Sequence, residues 1–482
     1  MQPLDTDYLI IGSGAVGMAF ADVLFHQTPD RIVLVDRHAA PGGHWNDAYP
    51  FVRLHQPSAY YGVNSRALGG NATDAAGLNK GMHERATSAE LVSYYGQVMQ
   101  QMLASGRVRY FPMSDYVGDY AGEADGLHPF KSLLTGGVQH VSVRKKVVDT
   151  TFLQTEVPAT HPPNYALAPE VHCVPVNQLA QTRQPPSGYV IVGAGKTGID
   201  ACLWLLENGV AAAQICWIMP RDSWMQNRIN FQPGDEFFVH SYGAFAEQVE
   251  IVAQAQSVQD VFNQLEAKGQ LLRMDPAVQP SMYHGAIVSQ PELETLRQIK
   301  NIVRLGRVLR IEKDQIVLER GTVASDAIRL YVDCSASAVN WRRPAVPIFA
   351  GNTITPQMVR TFQPTFSAAL VAHIETRFDS EAEKNAWCRP IPFQDRPVDY
   401  LAMLAANMAN QYQWSKNEDI AQWIVRSRLD GFSALARNVK PTDIEKLALL
   451  KRYGQRAGPA AARLKQLLSP AADLVSNMLA AQ

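Results

Sequence analysis

Two short apolar runs, each followed by a stretch with helical spacing, form the most regular pattern in the chain. Residues 8–11 and 189–192 are runs of the kind that become buried parallel strands. After the second run, apolar residues recur at helical spacing until Asn208 and Gly209 end the pattern. Alternation of buried strands with amphipathic helices predicts an α/β fold with parallel sheets.

Amphipathic helices and hairpins are predicted for other parts of the chain. A helix is expected over 84–106, with Thr87 or Ser88 as its N-cap and Gly106 as its stop. Strands and a hairpin are expected over 107–121 and 131–151. The last hundred or so residues have mostly helical spacing, so the sequence predicts a helical C-terminal region after the α/β part.

The turn after the first strand has the spacing of a dinucleotide-binding site. Gly12, Gly14 and Gly17 form Gly-x-Gly-x-x-Gly between a strand and a helix. The first glycine permits the tight turn, the second lets the backbone approach a pyrophosphate, and the third lets the helix pack on the strand. A second strand, 31–35, ends in Asp36, where an acid can accept hydrogen bonds from ribose hydroxyls. The competing interpretation is a glycine-rich turn that binds nothing, which the full order of strand, turn, helix, strand and acid disfavours.

The turn after the second strand contains Gly-Lys-Thr at 195–197, as the phosphate loop of ATP-binding proteins does. That loop needs a further glycine five positions before the Gly of Gly-Lys-Thr, and the residue there is Val190, inside the strand. Gly193, Gly195 and Gly198 instead match the dinucleotide spacing. The sequence therefore predicts a second dinucleotide site, with Lys196 as a solvated loop residue rather than a phosphate ligand.

The two turns differ at the end of the next strand, where the nucleotide is selected. The second strand of the second motif ends in Met-Pro-Arg rather than in an acid, and Arg221 can pair bidentately with a 2′-phosphate. Ser223 can add a hydroxyl. The competing interpretation of Arg221 is a surface arginine in a loop. On this difference, the first site is predicted to bind FAD and the second to bind NADPH.

Composition and charge narrow the function classes. The chain has 482 residues, 46% hydrophobic and 18% charged, and a net charge of −1 from 44 basic and 45 acidic residues. This balance gives no reason to expect a nucleic-acid or membrane partner. No long uninterrupted apolar run is present, and Asp5 and Asp7 precede the first apolar stretch, unlike a signal peptide. A cytoplasmic protein is expected, and a homo-oligomer is compatible with the sequence.

The cysteines argue against one class of flavoprotein. Cys173, Cys202, Cys216, Cys334 and Cys388 are far apart in the sequence, so no Cys-x-x-Cys pair and no metal-ligand cluster is present. Flavoprotein disulfide reductases combine the same two nucleotide sites but need a closely spaced redox-active pair. The sequence therefore argues against that class and predicts no metal site.

The motifs and a proline-rich stretch divide the chain. The first part of an FAD-binding domain is predicted over 1–187, including a proline-rich connector over 156–187. An NADPH-binding domain is predicted over 188–332, a return to the FAD domain over 333–375, and a helical region over 376–482. The predicted fold class is thus α/β, with two Rossmann-like dinucleotide-binding domains, the second inserted into the first, and a mostly helical C-terminal region.

Three stretches carry a resemblance to a known family. Gly-Gly-His-Trp at 42–45, the helix over 86–99 and the turn over 192–205 resemble the corresponding parts of class B flavin monooxygenases. The resemblance covers about 1–375. The family's fingerprint before the second glycine motif is not matched, since only His172 corresponds to it.

The resemblance implies a reaction. NADPH would reduce FAD, the reduced flavin would react with O2, and a C4a-(hydro)peroxyflavin would transfer one oxygen atom to a small organic substrate. The alternative within enzymes is a flavin oxidase or dehydrogenase that removes hydride from a small molecule without inserting oxygen. A third hypothesis is a nucleotide-sensing or assembly protein that retains the fold without turnover.

The resemblance also implies roles for the segment after Gly-Gly-His-Trp. Gln56 is predicted to hydrogen-bond the flavin or its oxygen adduct, the alternative being a loop amide satisfied by backbone. His55 is a candidate acid or base, the alternative being a structural histidine, and Arg53 lies beside it. The predicted catalytic residues are Gln56, His55 and Arg53. The predicted cofactor-binding residues are Gly12, Ser13, Gly14, Ala15, Gly17, Asp36, Arg37, Gly43, His44, Trp45, Gln56 and Gln357 for FAD, and Gly193, Gly195, Lys196, Thr197, Gly198, Arg221 and Ser223 for NADPH.

Overall fold

A computed structural model gives the architecture. It describes residues 2–120, 122, 126–337, 339–340 and 343–479. Within these residues the strands are β1 Leu4–Ile11, β2 Ile32–Val35, β3 Val108–Phe111, β4 Ser114–Tyr116, β5 Leu127–Ser132, β6 Val138–Asp149, β7 Ala166–Leu167, β8 Cys173–Pro175, β9 Tyr189–Val192, β10 Ile215–Ile218, β11 Met225–Asn227, β12 Leu271–Leu272, β13 Ile287–Val288, β14 Ile302–Val303, β15 Val308–Ile311, β16 Gln315–Leu318, β17 Gly321–Ala324, β18 Leu330–Asp333, β19 Phe349–Ala350 and β20 Thr353–Ile354.

The helices alternate with these strands and then dominate the C-terminal part. They are α1 Ala15–Gln27, α2 Ser88–Leu103, α3 Val176–Leu179, α4 Lys196–Glu207, α5 Phe238–Gln254, α6 Val258–Ala267, α7 Gln290–Leu296, α8 Pro364–Arg377, α9 Glu381–Trp387, α10 Pro397–Trp414, α11 Glu418–Arg426, α12 Ser433–Arg437 and α13 Ile444–Leu479. No helix in the described part of the chain is both long and apolar enough to span a membrane.

The first sheet is built around β1. Its parallel strands follow the order β6-β1-β2-β3, and Ile10 lies between Val148 on one side and Leu34 on the other. All three side chains are fully buried, as expected for a parallel sheet covered on both faces. β4 and β5 add antiparallel pairs beside β6.

The second sheet repeats this order around β9. Its strands run β14-β10-β9-β18-β8, all parallel, and Val192 lies between Ile218 and Asp333. Both glycine turns therefore leave the central strand at the carboxyl edge, where the strand order reverses and ligands bind in open α/β sheets. The predicted α/β class with two Rossmann-like units is confirmed.

The chain enters and leaves the second sheet at places the sequence did not mark. β7 and β8 lie within 156–187, the stretch predicted as a connector, and β8 forms the edge of the second sheet. After β18 the chain returns to the first sheet, where β20 pairs with β6. α8 then packs on α1, which closes the first unit.

Helix α2 shows the predicted start signal. Thr87 is the N-cap, its side chain accepts a hydrogen bond from the Glu90 backbone, and the Glu90 side chain accepts one from the Thr87 backbone. This reciprocal capping box satisfies two amides that a helix terminus would otherwise leave unpaired. Helices α10 and α13 from the C-terminal region pack on α5 and α6 through a shared apolar core.

Candidate functional site

The two glycine turns have matching geometry. Gly12 has φ +95° and Gly193 has φ +124°, a region that favours glycine. A Cβ on Gly17 would lie 2.0 Å from the Gly12 carbonyl oxygen, and one on Gly198 would lie 2.1 Å from the Gly193 oxygen. In both motifs the third glycine therefore lets the helix approach the strand turn, as the spacing predicts.

The middle glycines have space in front of them. A Cβ on Gly195 would meet no atom within 4 Å, and one on Gly14 would meet only Gly43 atoms, the nearest being Cα at 3.5 Å. Gly14 is the N-cap of α1, which begins at Ala15, and Gly195 is the N-cap of α4. In neither helix does the N-cap side chain accept a hydrogen bond from the first turn. Exposed helix amides next to open space are suited to bind a phosphate.

Asp36 lies at the end of β2 beside the first turn. One of its oxygens accepts hydrogen bonds from the Ser13 backbone at 2.5 Å and from the Ser13 hydroxyl at 2.9 Å. The other accepts from His38. Burial alone would raise the pKa of Asp36, but the hydrogen bonds from His38 and Ser13 outweigh it and lower the pKa. The acid is therefore ionised and oriented next to the turn.

His38 connects Asp36 to the loop that follows Gly-Gly-His-Trp. Its Nδ1 is 2.9 Å from an Asp36 oxygen and its Nε2 is 2.8 Å from an Asp47 oxygen. The hydrogen bond to Asp36 raises the pKa of His38; burial opposes this, and the bond to Asp47 reinforces it. The sequence analysis did not select either residue.

This bridge makes stability depend on pH. Because the pKa of His38 is raised on folding, its contribution is fully present below the unfolded value of about 6.5 and is lost as pH rises through the folded value. We expect His38→Gln to be less stable than wild type at pH 6 and the two to converge as pH rises. Urea unfolding at several pH values measures this, with the exposed His140→Gln as control. A difference that does not change with pH would contradict it.

Two acidic strand ends lie behind the glycine turns. Asp149, at the end of β6, accepts hydrogen bonds from the backbone and hydroxyl of Thr151, and Asp333, at the end of β18, does the same for Ser335. Thr150 contacts the Gly12 turn and Cys334 contacts Gly193. The sequence analysis missed this pair, although the repeated pattern Val-Asp-x-Thr/Ser would have revealed it.

The first turn of α4 is tied to the loop of the first unit. Lys196 forms an ion pair with Asp200, and the Tyr49 hydroxyl donates to the same Asp200 oxygen at 2.7 Å. Thr197 follows Lys196 in the same first turn. Lys196 is thus not the solvated residue that the sequence suggested, since its amine is desolvated, which lowers its pKa, and it lines a polar cavity.

Arg221 already has an anionic partner. Its guanidinium donates to both oxygens of Asp395, at 2.9 and 2.6 Å, and His284 also contacts Asp395 at 2.7 Å. The hydrogen bond with Arg221 is the largest influence on Asp395 and lowers its pKa to about 2. The Ser223 hydroxyl donates to the Trp224 and Met282 carbonyls. A 2′-phosphate at Arg221 would therefore take the place of Asp395.

The Gly-Gly-His-Trp segment joins the two units. Gly43 packs against Gly14, and Trp45 packs against both apolar cores while its indole N–H donates to the Tyr61 hydroxyl at 2.9 Å. The His44 ring lies 4.8 Å from the Trp45 ring, and desolvation lowers the pKa of His44 to about 4. The segment thus covers the first turn on the side facing the second unit.

The three predicted catalytic residues face different surroundings. Arg53 is exposed, donates to the Arg85 carbonyl and lines the polar cavity with Lys196. His55 accepts from the Ile287 backbone at Nδ1, and desolvation, together with nearby cations, holds its pKa well below the usual value. His55 is therefore neutral, which argues against its role as a charged acid. The Gln56 amide donates to the Tyr60 carbonyl at 3.3 Å and lines a second cavity.

Gln357 and Arg37 are engaged elsewhere. The Gln357 side chain is buried and donates both amide hydrogens to backbone, to the carbonyls of Val346 and Thr355. It therefore has no free donor for a flavin ring, contrary to the sequence-based placement. Arg37 is exposed and pairs with Asp115, so in this structure it is a surface ion pair next to Asp36.

The second cavity is bordered by four main parts of the chain. Its volume is about 180 Å³. The walls come from the loop containing Gln56 and Tyr60, from α5, from the segment 360–363 that leads into α8, and from α10 with Phe432 and Tyr453. The polar cavity, of about 290 Å³, lies on the other side of residues 53–56.

Sequence comparison finds relatives of this chain in mycobacteria. No family model matches the sequence. Uncharacterized proteins of Mycobacterium tuberculosis and Mycobacterium bovis are each 44% identical over 476 residues, which is 98% of this chain and 86% of theirs.

Solved flavin monooxygenases share the fold at low identity. OTEMO in complex with FAD and NADP has a TM-score of 0.51 and 14% identity, over 90% of this chain and 92% of that one. Cyclohexanone monooxygenase from Rhodococcus sp. Phi1 bound to NADP+ has a TM-score of 0.50 and 12% identity, over 78% and 84%. The chain therefore has the fold of the class B flavin monooxygenases, as the sequence resemblance predicted.

Proposed function

The chain belongs to the family of these mycobacterial proteins, and from its two glycine turns and its fold we propose that it is an FAD- and NADPH-dependent monooxygenase. It would act on a small organic substrate. One atom of O2 would enter the substrate and the other would leave as water, with NADPH and a proton supplying the reducing equivalents. The related structures named above include complexes with FAD and NADP, and we extend those cofactors to this chain.

One observation carries the proposal: the same turn is built twice at the same position of two parallel sheets. In each, a positive-φ glycine starts the turn and a buried third glycine packs the helix on the strand. In each, an open middle glycine caps the helix without a side-chain partner. A fold kept for structure alone would not need both middle positions to stay open, because an alanine would fit there and lower the entropy cost of folding.

The residues fit the two nucleotides differently. At the first turn, the amides of α1 would hold the FAD pyrophosphate, ionised Asp36 would accept from the ribose, and Gly43 with Trp45 would cover the flavin side. At the second turn, α4 would hold the NADPH pyrophosphate and Arg221 the 2′-phosphate. Bound FAD would accept hydride and activate oxygen.

The protein's own contribution would be positioning and exclusion of water. Gln56 borders the 180 Å³ cavity, which would be the substrate cavity, from the loop that follows Gly-Gly-His-Trp. The part of its amide that is not bonded to the Tyr60 carbonyl would orient a reacting group. Neutral His55 holds this loop on Ile287 through a backbone hydrogen bond. The two residues therefore act as positioning groups.

Isotope labelling tests the proposal against the oxidase or dehydrogenase alternative. FAD-loaded protein is incubated with NADPH, a cell-free metabolite extract and either ¹⁶O2 or ¹⁸O2. A monooxygenase yields an NADPH-dependent product that contains one ¹⁸O atom when it is formed under ¹⁸O2 and one ¹⁶O atom in the same position under ¹⁶O2. Hydrogen peroxide as the only labelled product, with an oxidised but unlabelled metabolite, would favour the alternative.

Cofactor preference tests the role of Arg221. Since the 2′-phosphate would displace Asp395, we expect Arg221→Ala to raise the KM for NADPH about tenfold or more and that for NADH little. Asp395→Asn should lower the KM for NADPH, because it removes the carboxylate that competes with the 2′-phosphate for Arg221. Arg304→Ala is the matched control, since Arg304 pairs bidentately with the neighbouring Asp222. Equal changes for both nucleotides in Arg221→Ala would remove the residue from phosphate recognition.

A further inference from the structure

We propose that the 180 Å³ cavity binds an uncharged substrate with the bulk of about one ring and one O–H or N–H group, an assignment that rests on the proposed function. The cavity lies between the loop of Gln56, helix α5, the segment before α8 and the C-terminal helix α10. The C-terminal helices therefore form one wall of the substrate site, a role the sequence left open.

The cavity has no free charge. Among its described lining residues, Arg360 is the one side chain with a formal charge, and it is paired with Asp430, which is fully buried. The Arg360 guanidinium also lies over the Phe366 ring at 4.8 Å. A carboxylate or ammonium group entering this cavity would lose its hydration without gaining an unpaired ion of opposite charge, which is costly. The cavity therefore selects uncharged molecules.

Buried polar atoms in the wall lack partners. The Tyr60 hydroxyl and the Gln226 side-chain oxygen have no hydrogen-bond partner among the described residues, although Tyr60 is 3% and Gln226 is 6% exposed. The Gln226 nitrogen donates to the Tyr283 hydroxyl at 2.8 Å, which leaves its oxygen as an acceptor. Leaving such atoms unpaired is unfavourable, and a ligand with one donor would satisfy Gln226.

The position of Tyr60 is built into the fold. Its ring lies 5.0 Å from the Phe432 ring, and a Cβ on Gly431 would be 1.9 Å from Tyr60 Cε1. Gly431 has φ +73°, which favours glycine, and only a residue without a side chain leaves room for the Tyr60 ring at this position. The Tyr60 ring is thus fixed in the wall of the cavity.

The volume of the cavity and the aromatic side chains in its walls indicate the apolar part of the ligand. An engineered cavity of about 150 Å³ holds benzene, so 180 Å³ accommodates one ring with a short substituent. Four phenylalanines and three tyrosines stand in the wall, and aromatic rings favour a flat apolar ligand. These are Phe231, Phe245, Phe362, Phe432, Tyr60, Tyr400 and Tyr453.

Calorimetric titration of the FAD-loaded protein tests the proposed ligand class with four one-ring probes of similar size: benzyl alcohol, toluene, benzoate and benzylamine. We expect benzyl alcohol to bind about tenfold more tightly than toluene and both charged probes to bind more weakly than toluene. Benzoate or benzylamine binding as tightly as the alcohol would overturn the proposal, and so would absence of binding by all four up to their solubility.

Two variants test which residues cause the preference for benzyl alcohol over toluene. Gln226→Leu should remove the advantage of benzyl alcohol over toluene, and Tyr60→Phe, which deletes only the hydroxyl, should reduce it. Tyr412→Phe, at an exposed position, is the matched control. An alcohol preference that survives in both cavity variants overturns the assignment.

The outcome is separable from that of the proposed function. Selective alcohol binding by a protein that does not oxidise NADPH would support the binding class and count against the monooxygenase. NADPH oxidation without such selectivity would overturn the binding class alone.

Discussion

Gly14→Val is expected to yield a folded protein that is purified with a much lower FAD content than wild type. The backbone at Gly14 has φ −70° and ψ −174°, which valine adopts readily. A Cβ there would be in ordinary contact with the Gly43 Cα at 3.5 Å, so the protein itself has room for it. The side chain would instead occupy the space where a pyrophosphate approaches the amides of α1. Such overlap costs about 1–3 kcal/mol, or roughly tenfold to a hundredfold in FAD affinity.

Measured FAD content and the melting temperature of the apoprotein distinguish this from misfolding. The apo variant should melt with the apo wild type, whereas Gly17→Ala should lower the melting temperature, because its Cβ would lie 2.0 Å from the Gly12 oxygen. Gly96→Ala in α2, which meets no atom within 4 Å, is the control without a clash, and it should not lower the melting temperature, because alanine is favoured over glycine inside a helix. A Gly14→Val protein with full FAD content would refute the assignment of the first turn.

Gly195→Val is expected to retain FAD and to be reduced only at much higher NADPH concentrations than wild type. A Cβ at Gly195 meets no protein atom within 4 Å, and the backbone is extended, with φ −79° and ψ −173°. The Cβ of the new side chain would therefore meet a ligand at the second turn before it meets the protein. We expect the apparent affinity for NADPH to fall about tenfold to a hundredfold, with FAD content unchanged.

Anaerobic reduction followed by flavin absorbance makes this measurement. Dithionite, which needs no nucleotide site, should still reduce the flavin of Gly195→Val fully, and Gly243→Ala in α5 serves as the open-space control. Loss of FAD together with loss of NADPH reduction would mean that the two turns are not independent sites. Normal NADPH reduction in Gly195→Val would place the nicotinamide nucleotide elsewhere.

The sequence predicted those parts of the fold that are formed by residues close together in the chain. Both glycine turns, the strands before them and the capping box of Thr87 depend on residues within a few positions of one another, so their spacing is legible in the sequence. The repeated strand order around β1 and β9 then follows from the rules of parallel α/β sheets.

Features set by distant residues could not be predicted in this way. Arg221 and Asp395 are 174 positions apart, so the sequence showed a free arginine where the structure has an ion pair. β8 has too few residues for a periodic pattern and becomes a strand by pairing with β18. The substrate cavity is lined by four separate stretches of the chain, and no local sequence pattern shows that they meet. The hydrogen bond from the Gln357 side chain to the Val346 carbonyl likewise has no local signal.

The central claim is that one chain passes hydride from NADPH at its second turn to FAD at its first. The measurement that tests it most directly is anaerobic mixing of the purified, FAD-loaded protein with NADPH while the visible flavin absorbance is recorded. The account predicts complete bleaching within catalytic times, with one NADPH consumed per flavin. A protein that takes up no FAD, or bound FAD that NADPH leaves oxidised while dithionite reduces it, would contradict the account.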